Sequence, residues 1–226
     1  MKYELTDETT RIEGFTLHRI QALKDFGDVK AGDLGGFIQS ESNLSQDGDC
    51  WVYDDAKVFD SGLVMNNAKV KDKAIVMDFA SAMDDSVICD EVCLSNNAKI
   101  YGNAKMFGQS KAYHNAEIFG DIKILDQVRV LRDAWVYGDF SIHGKANVTE
   151  KTTKAPIVMM GLAYTVTIMD SQISFDCQTK TTLEWYEISD EELMVMDKIK
   201  AVRFFRKYRE LIKSIADIHQ ENQSNL

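Results

Sequence analysis

From Val52 to Val148 an aliphatic or similarly apolar side chain recurs every six residues without a slip, at seventeen positions. Val58, Val76, Ala82, Leu94, Ile100, Met106, Ile124 and Ile142 are among them. Two residues before each lies a mostly small side chain, such as Ala56, Ala68, Ala74, Ala98 or Ala134. Positions two apart face the same side of a strand, so each pair gives a short strand one inward face. Two residues after the aliphatic position come Asp54, Asp60, Asn66, Asp72 and their successors; fourteen of these sixteen are Asp, Asn or Gly, and His114 and Arg132 are the exceptions. Asp, Asn and Gly tolerate positive φ best, so this slot is a corner. A period of six is no multiple of 3.6, and such a density of turn residues would break a helix. The pattern predicts a left-handed parallel β-helix, a triangular prism with three hexads in each eighteen-residue coil. Nearly six coils would stand about 28 Å tall at about 4.8 Å per coil.

Reading the repeat in threes also sorts the outward positions. One column, Met65, Met83, Tyr101, Phe119 and Tyr137, is apolar throughout, whereas the other two mix residue types. A contiguous apolar ladder on an outer face calls for a cover. Either the segment after residue 150, the N-terminal arm or another subunit is expected to supply it, which makes these five residues the candidate interface and the chain an expected homo-oligomer.

Three regions follow: an N-terminal cap over 1–49, the β-helix over 50–150, and a β-hairpin with an α-helix over 151–226. The cap would shield strand edges that an open solenoid end exposes. Its glycines, Gly32, Gly35 and Gly36, lack the Lys-Ser or Lys-Thr of a phosphate-binding loop. After Pro156, strands are predicted over 157–160, 164–169 and 172–175. Ser189 and Glu192 form a capping box that opens a helix to about His219. Met196, Ile199, Phe205, Tyr208, Leu211, Ile212 and Ile215 would form its docking face.

Composition narrows the function classes. With 36 acidic against 26 basic side chains the net charge is −10, against a general nucleic-acid binder. No apolar run reaches membrane-spanning length and Met1 to Thr10 do not read as a signal peptide, so neither membrane association nor export is expected, and the predicted setting is cytoplasmic. Cys50, Cys89, Cys93 and Cys177 form no Cys-x-x-Cys pair and read as reduced thiols.

His18-Arg19-Ile20-Gln21-Ala22, the stretch from Asp25 to Gly36, Asn43-Leu44-Ser45-Gln46 and Trp51-Val52-Tyr53 together resemble the N-terminal signature of uncharacterised phage and prophage proteins with hexapeptide-like repeats. Pro156-Ile157-Val158, Tyr164, Val166-Thr167-Ile168 and Trp185 resemble that family's tail. The resemblance implies a mobile-element setting in a bacterial host and no particular chemistry.

The repeat also resembles that of hexapeptide acyltransferases, which implies a histidine base near a loop thrown out of the coil. Here no loop interrupts residues 52–148, His114 fills a corner slot and His143 lies one past an inward position. Zinc chemistry of the γ-carbonic anhydrase type needs three converging histidines, but His114 and His143 fall on different sides of the prism, as do Cys89 and Cys93. No catalytic residue, cofactor or metal site is therefore assigned. The helical tail carries Lys200, Arg203, Arg206 and Lys207, a candidate surface for an acidic partner. The first reading is a non-catalytic scaffold that binds a host protein and so inhibits or modulates defence machinery. A DNA-mimicking inhibitor with acidic corners comes second, although Lys57, Lys69, Lys99, Lys105, Lys111, Lys123 and Arg129 interleave positive charge. A hexapeptide-type acyltransferase comes third.

Overall fold

The computed structural model describes residues 1–152, 154–176 and 178–221, so Cys177 lies outside the described residues. Seventeen short strands, β4 (Trp51–Val52) through β20 (Asn147–Val148), follow an N-terminal β1 (Tyr3–Ile12), β2 (Phe15–Ala22) and β3 (Leu34–Ile38). Each short strand pairs in parallel at an offset of eighteen residues: Val58 lies beside Val76, Leu94 beside Ala112, Ile124 beside Ile142. The strands sort into the three sides of a left-handed parallel β-helix. One side runs β3-β5-β8-β11-β14-β17-β20, the second β4-β7-β10-β13-β16-β19, and the third β6-β9-β12-β15-β18.

All seventeen repeat positions are fully buried, and so are their small companions except the half-buried Phe140. Every one of the sixteen corner residues has positive φ, including His114 (61°) and Arg132 (64°). The acidic corners also bond coil to coil. The Asp54 carboxylate accepts the backbone N–H of Asp72 at 3.3 Å, Asp72 that of Asp90 at 3.0 Å, and Asp90 that of Gly108 at 2.7 Å. Aspartate therefore does two jobs at a corner: it accepts the left-handed backbone and ties the next coil.

The solenoid starts earlier than residue 50. Ile38 pairs with Val58 and Leu44 with Val64, both in parallel, and both are fully buried. They stand six apart, but Val52 follows Leu44 by eight, so an insertion of two residues hides this first coil from a strict six-residue search. Gly35 and Gly36 occupy its tightest point, where a Cβ on either would come within 2.6 Å of backbone oxygen from Val52 or Ala56. Close approach, not ligand binding, accounts for this pair.

Both ends of the prism are closed by side chains. At the N-terminal end Lys2, only 1% exposed, donates to the carbonyls of Gly48 at 3.3 Å and Cys50 at 2.9 Å and lies 5.1 Å from the Phe26 ring centre. These carbonyls have no coil beneath them, and the ammonium is in turn satisfied by the oxygens it caps. The Tyr3 hydroxyl donates to the Leu44 carbonyl at 2.6 Å. At the other end Met169 joins the prism core. Glu150 accepts the backbone N–H groups of Ser171 at 2.8 Å and Gln172 at 2.9 Å.

The tail is a four-stranded antiparallel sheet in chain order, β21 (Ile157–Met159), β22 (Val166–Ile168), β23 (Gln172–Phe175) and β24 (Gln178–Thr181), not the expected hairpin. Two helices follow, α1 (Thr182–Glu187) and α2 (Asp190–Glu221). Thr181 and Glu184 form a capping box for α1 just as Ser189 and Glu192 do for α2. Only the second was read from the sequence. The helix is not continuous: Asp197 and Lys198 leave helical geometry, with φ of −150° and 52°. This break resets the phase of the apolar face, so Leu193, Val202, Phe204, Phe205 and Ile212 are buried while the expected Ile199 and Leu211 are each about half exposed. Among the described residues no helix is long and apolar enough to cross a membrane.

Candidate binding surfaces

The outward ladder is a geometric stack. Tyr101 and Phe119 lie 4.9 Å apart at 2° between planes, and Phe119 and Tyr137 lie 5.1 Å apart at 5°. The stack follows from register, because Phe119 pairs directly with Tyr137 on adjacent strands and equivalent positions align along the prism axis. All five ladder residues are half-buried. The tail's apolar cluster contains none of them. Its contacts at this column are at the upper end, where Thr152 bridges to Val136 and the Lys151 ammonium lies 5.8 Å from the Tyr137 ring. Partial burial and the Glu117 carboxylate, at 3.1 Å, push the Tyr101 hydroxyl up to about 12, so it is a neutral donor at physiological pH.

The four basic residues of α2 are all exposed but not equally available. Lys200 pairs with Asp197 at 3.3 Å and lies 4.6 Å from the Tyr164 ring, while Arg206 pairs with Asp190. Lys207 lies 4.9 Å from the Tyr208 ring.

The histidines serve different places. His114 Nδ1 accepts the backbone N–H of Arg132 at 3.2 Å, and the backbone N–H of His114 donates to Asn96 Oδ1 at 3.1 Å. The imidazole thus replaces Asp in a corner ladder, which fixes its proton on Nε2. His18 faces the Thr6 carbonyl at 3.2 Å, His143 is exposed, and His219 is buried, with burial lowering its basicity. Among the described residues, three ligand-type groups come together within 4.8 Å at Asp72, Cys89 and Asp90. Burial first, then those two carboxylates, push the Cys89 thiol up to about 11, and both acids already accept backbone N–H groups. It is a thiol beside two structural aspartates.

One concavity was not anticipated. A groove of about 630 Å³ runs between the first prism side and the tail, lined by Lys111, Arg129, Lys145, Glu91, Asn147 and Asp176 among others. Lys111 and Arg129 are direct partners on β14 (Lys111–Ala112) and β17 (Arg129–Val130). Their eighteen-residue spacing was visible in the sequence; the tail wall that makes a groove of that side was not.

No protein-family profile matches the chain. Over 61 residues it is 39% identical to a protein of Escherichia coli strain K12 named uncharacterized acetyltransferase YdcK. That stretch takes in 24% of this chain and 19% of the E. coli protein, so the match spans about a fifth of that relative.

Proposed function

We propose that this protein is a non-catalytic β-solenoid that acts by binding protein through the flat side bearing Met65, Met83, Tyr101, Phe119 and Tyr137. The observation that carries this reading is the parallel stack of three half-buried rings outside the apolar cluster of the tail. A flat side carrying a continuous apolar column meets a second copy about a symmetry axis, so self-association is the first use of this face. The motif resemblance supports a phage or prophage setting, in which the assembled prism engages host machinery and the basic face of α2 meets an acidic partner. The DNA-mimic reading has less support, because corner carboxylates are committed to the next coil's backbone. Replacing Tyr101 and Phe119 together by Glu should lower the mass measured by light scattering from an oligomer to a monomer while the far-ultraviolet circular dichroism stays that of a β-solenoid. A wild type that is already monomeric, or a double variant of unchanged mass, rejects this use of the face.

The match to a protein named as an acetyltransferase supports a second reading, acyl transfer on the same type of repeat. His114 is poorly placed for it, since its Nδ1 is occupied at a corner. The exposed His143 is the better base. Steady turnover of acetyl-CoA with an amine or hydroxyl acceptor, abolished by His143→Ala, would establish this reading; no turnover with any acceptor is the expected result.

A further inference from the structure

We infer that the groove between the first prism side and the tail is a binding site for a small phosphate-bearing ligand carrying at least two negative charges. Lys111 and Arg129 sit directly opposite each other on adjacent parallel strands. Equivalent positions on neighbouring strands are only about 5 Å apart, so like charges there repel. Two outward cations elsewhere on the prism are answered: Lys99 faces Glu117 at 3.4 Å on the next strand, and Lys69 holds Asp28 at 2.7 Å. Lys111, Arg129 and Lys145 have no ion pair within 4.0 Å among the described residues, although all three line the same groove.

The two acids of the groove are turned to other work. Glu91 accepts the Gln109 amide at 2.8 Å, and the Asp176 carboxylate accepts the Thr165 backbone N–H at 2.9 Å. Asn147 ties the groove to the tail, donating to the Asp176 carbonyl at 2.6 Å. The result is a walled slot with three unpaired cations, of a size that suits a small molecule. A guanidinium fork beside two ammonium groups matches the oxygens of a phosphate ester or diphosphate better than a single carboxylate, because one multiply charged group can answer neighbouring cations together. A second like-charged pair, Lys105 and Lys123 on the second side, serves as the internal comparison. That pair also lacks an ion pair within 4.0 Å among the described residues, but its groove is lined by three carboxylates, Asp85, Asp121 and Asp139, against two cations, whereas three cations face two carboxylates in the first groove.

The test is calorimetric titration of the full chain with inorganic pyrophosphate and with ATP, alongside melting curves. Saturable binding that weakens with added salt is expected. Lys111→Ala and Arg129→Ala should each weaken it by about tenfold or more, as loss of a charge-assisted hydrogen bond does. Lys105→Ala and Lys123→Ala should leave it unchanged. Binding of pyrophosphate and ATP alike would identify the phosphates as the recognised group, and binding of ATP alone would add a contact to its nucleoside. Absence of saturable binding by either probe to the folded wild type overturns the inference, and so does equal weakening by the Lys105 and Lys123 variants.

Discussion

Ile100→Asp should leave the protein unfolded at temperatures where the wild type is native. Ile100 points into the prism, is fully buried, and stacks between Ala82 below and Ile118 above. A carboxylate there has no cation or donor within the apolar interior. Burying it costs several kcal/mol, on the order of the whole stability of a domain. The loss is shared by the neighbouring coils because each coil is the pairing partner of the next. Thermal melting followed by circular dichroism measures the effect. Lys105→Ala, an outward change on the next strand, β13 (Lys105–Met106), should stay within about 0.5 kcal/mol of wild type. An Ile100→Asp protein that melts at the wild-type temperature would show that residue 100 does not face inward.

Trp185→Ala should release the tail and spare the prism. Trp185 is 2% exposed, its ring lies 5.3 Å from Phe205 and 4.5 Å from Phe175, and its indole N–H donates to the Ile173 carbonyl at 2.6 Å. Truncation removes a large buried ring, for about 3–5 kcal/mol, and leaves a buried carbonyl without its donor. The damage should stay local, since the apolar clusters of the prism and the tail have no buried residue in common. Limited proteolysis should then cut the variant after about residue 150 and leave a resistant solenoid fragment, while the wild type resists throughout. Cleavage distributed over the whole chain would mean that the tail holds the prism together.

The groove and the aromatic stack differ in how they arise, and the difference bears on function. The stack belongs to the repeat: any residue type kept at an eighteen-residue spacing becomes a column. The groove belongs to the tail, because Asn147 and Asp176 turn one side of the prism into a wall. A column suits a flat partner and a slot suits a small molecule. The two proposed uses therefore occupy different surfaces and can be separated by mutation.

The six-residue spacing by itself determined the solenoid, its inward face, its corners and the aromatic column. It did so because parallel pairing repeats the same local geometry, so one hexad predicts all seventeen. Even the odd residues His114 and Arg132 took the corner backbone, since the surrounding coils impose it. Where periodicity failed, the sequence became ambiguous. Ile38 and Leu44 went unread because two inserted residues shift the phase, and β24 and α1 went unread because a four-residue strand followed by a two-turn helix has too short a pattern. The break at Asp197 and Lys198 gave no signal, since neither residue is a helix breaker and Tyr164, whose hydroxyl reaches Asp197 at 2.6 Å, lies 33 positions away in the chain. Tertiary structure alone decided that Lys2 would plug one end of the prism, that Met169 would close the other, and that three cations would share one slot. Each of those outcomes depends on which groups meet across long sequence separations, and no local spacing encodes such a meeting.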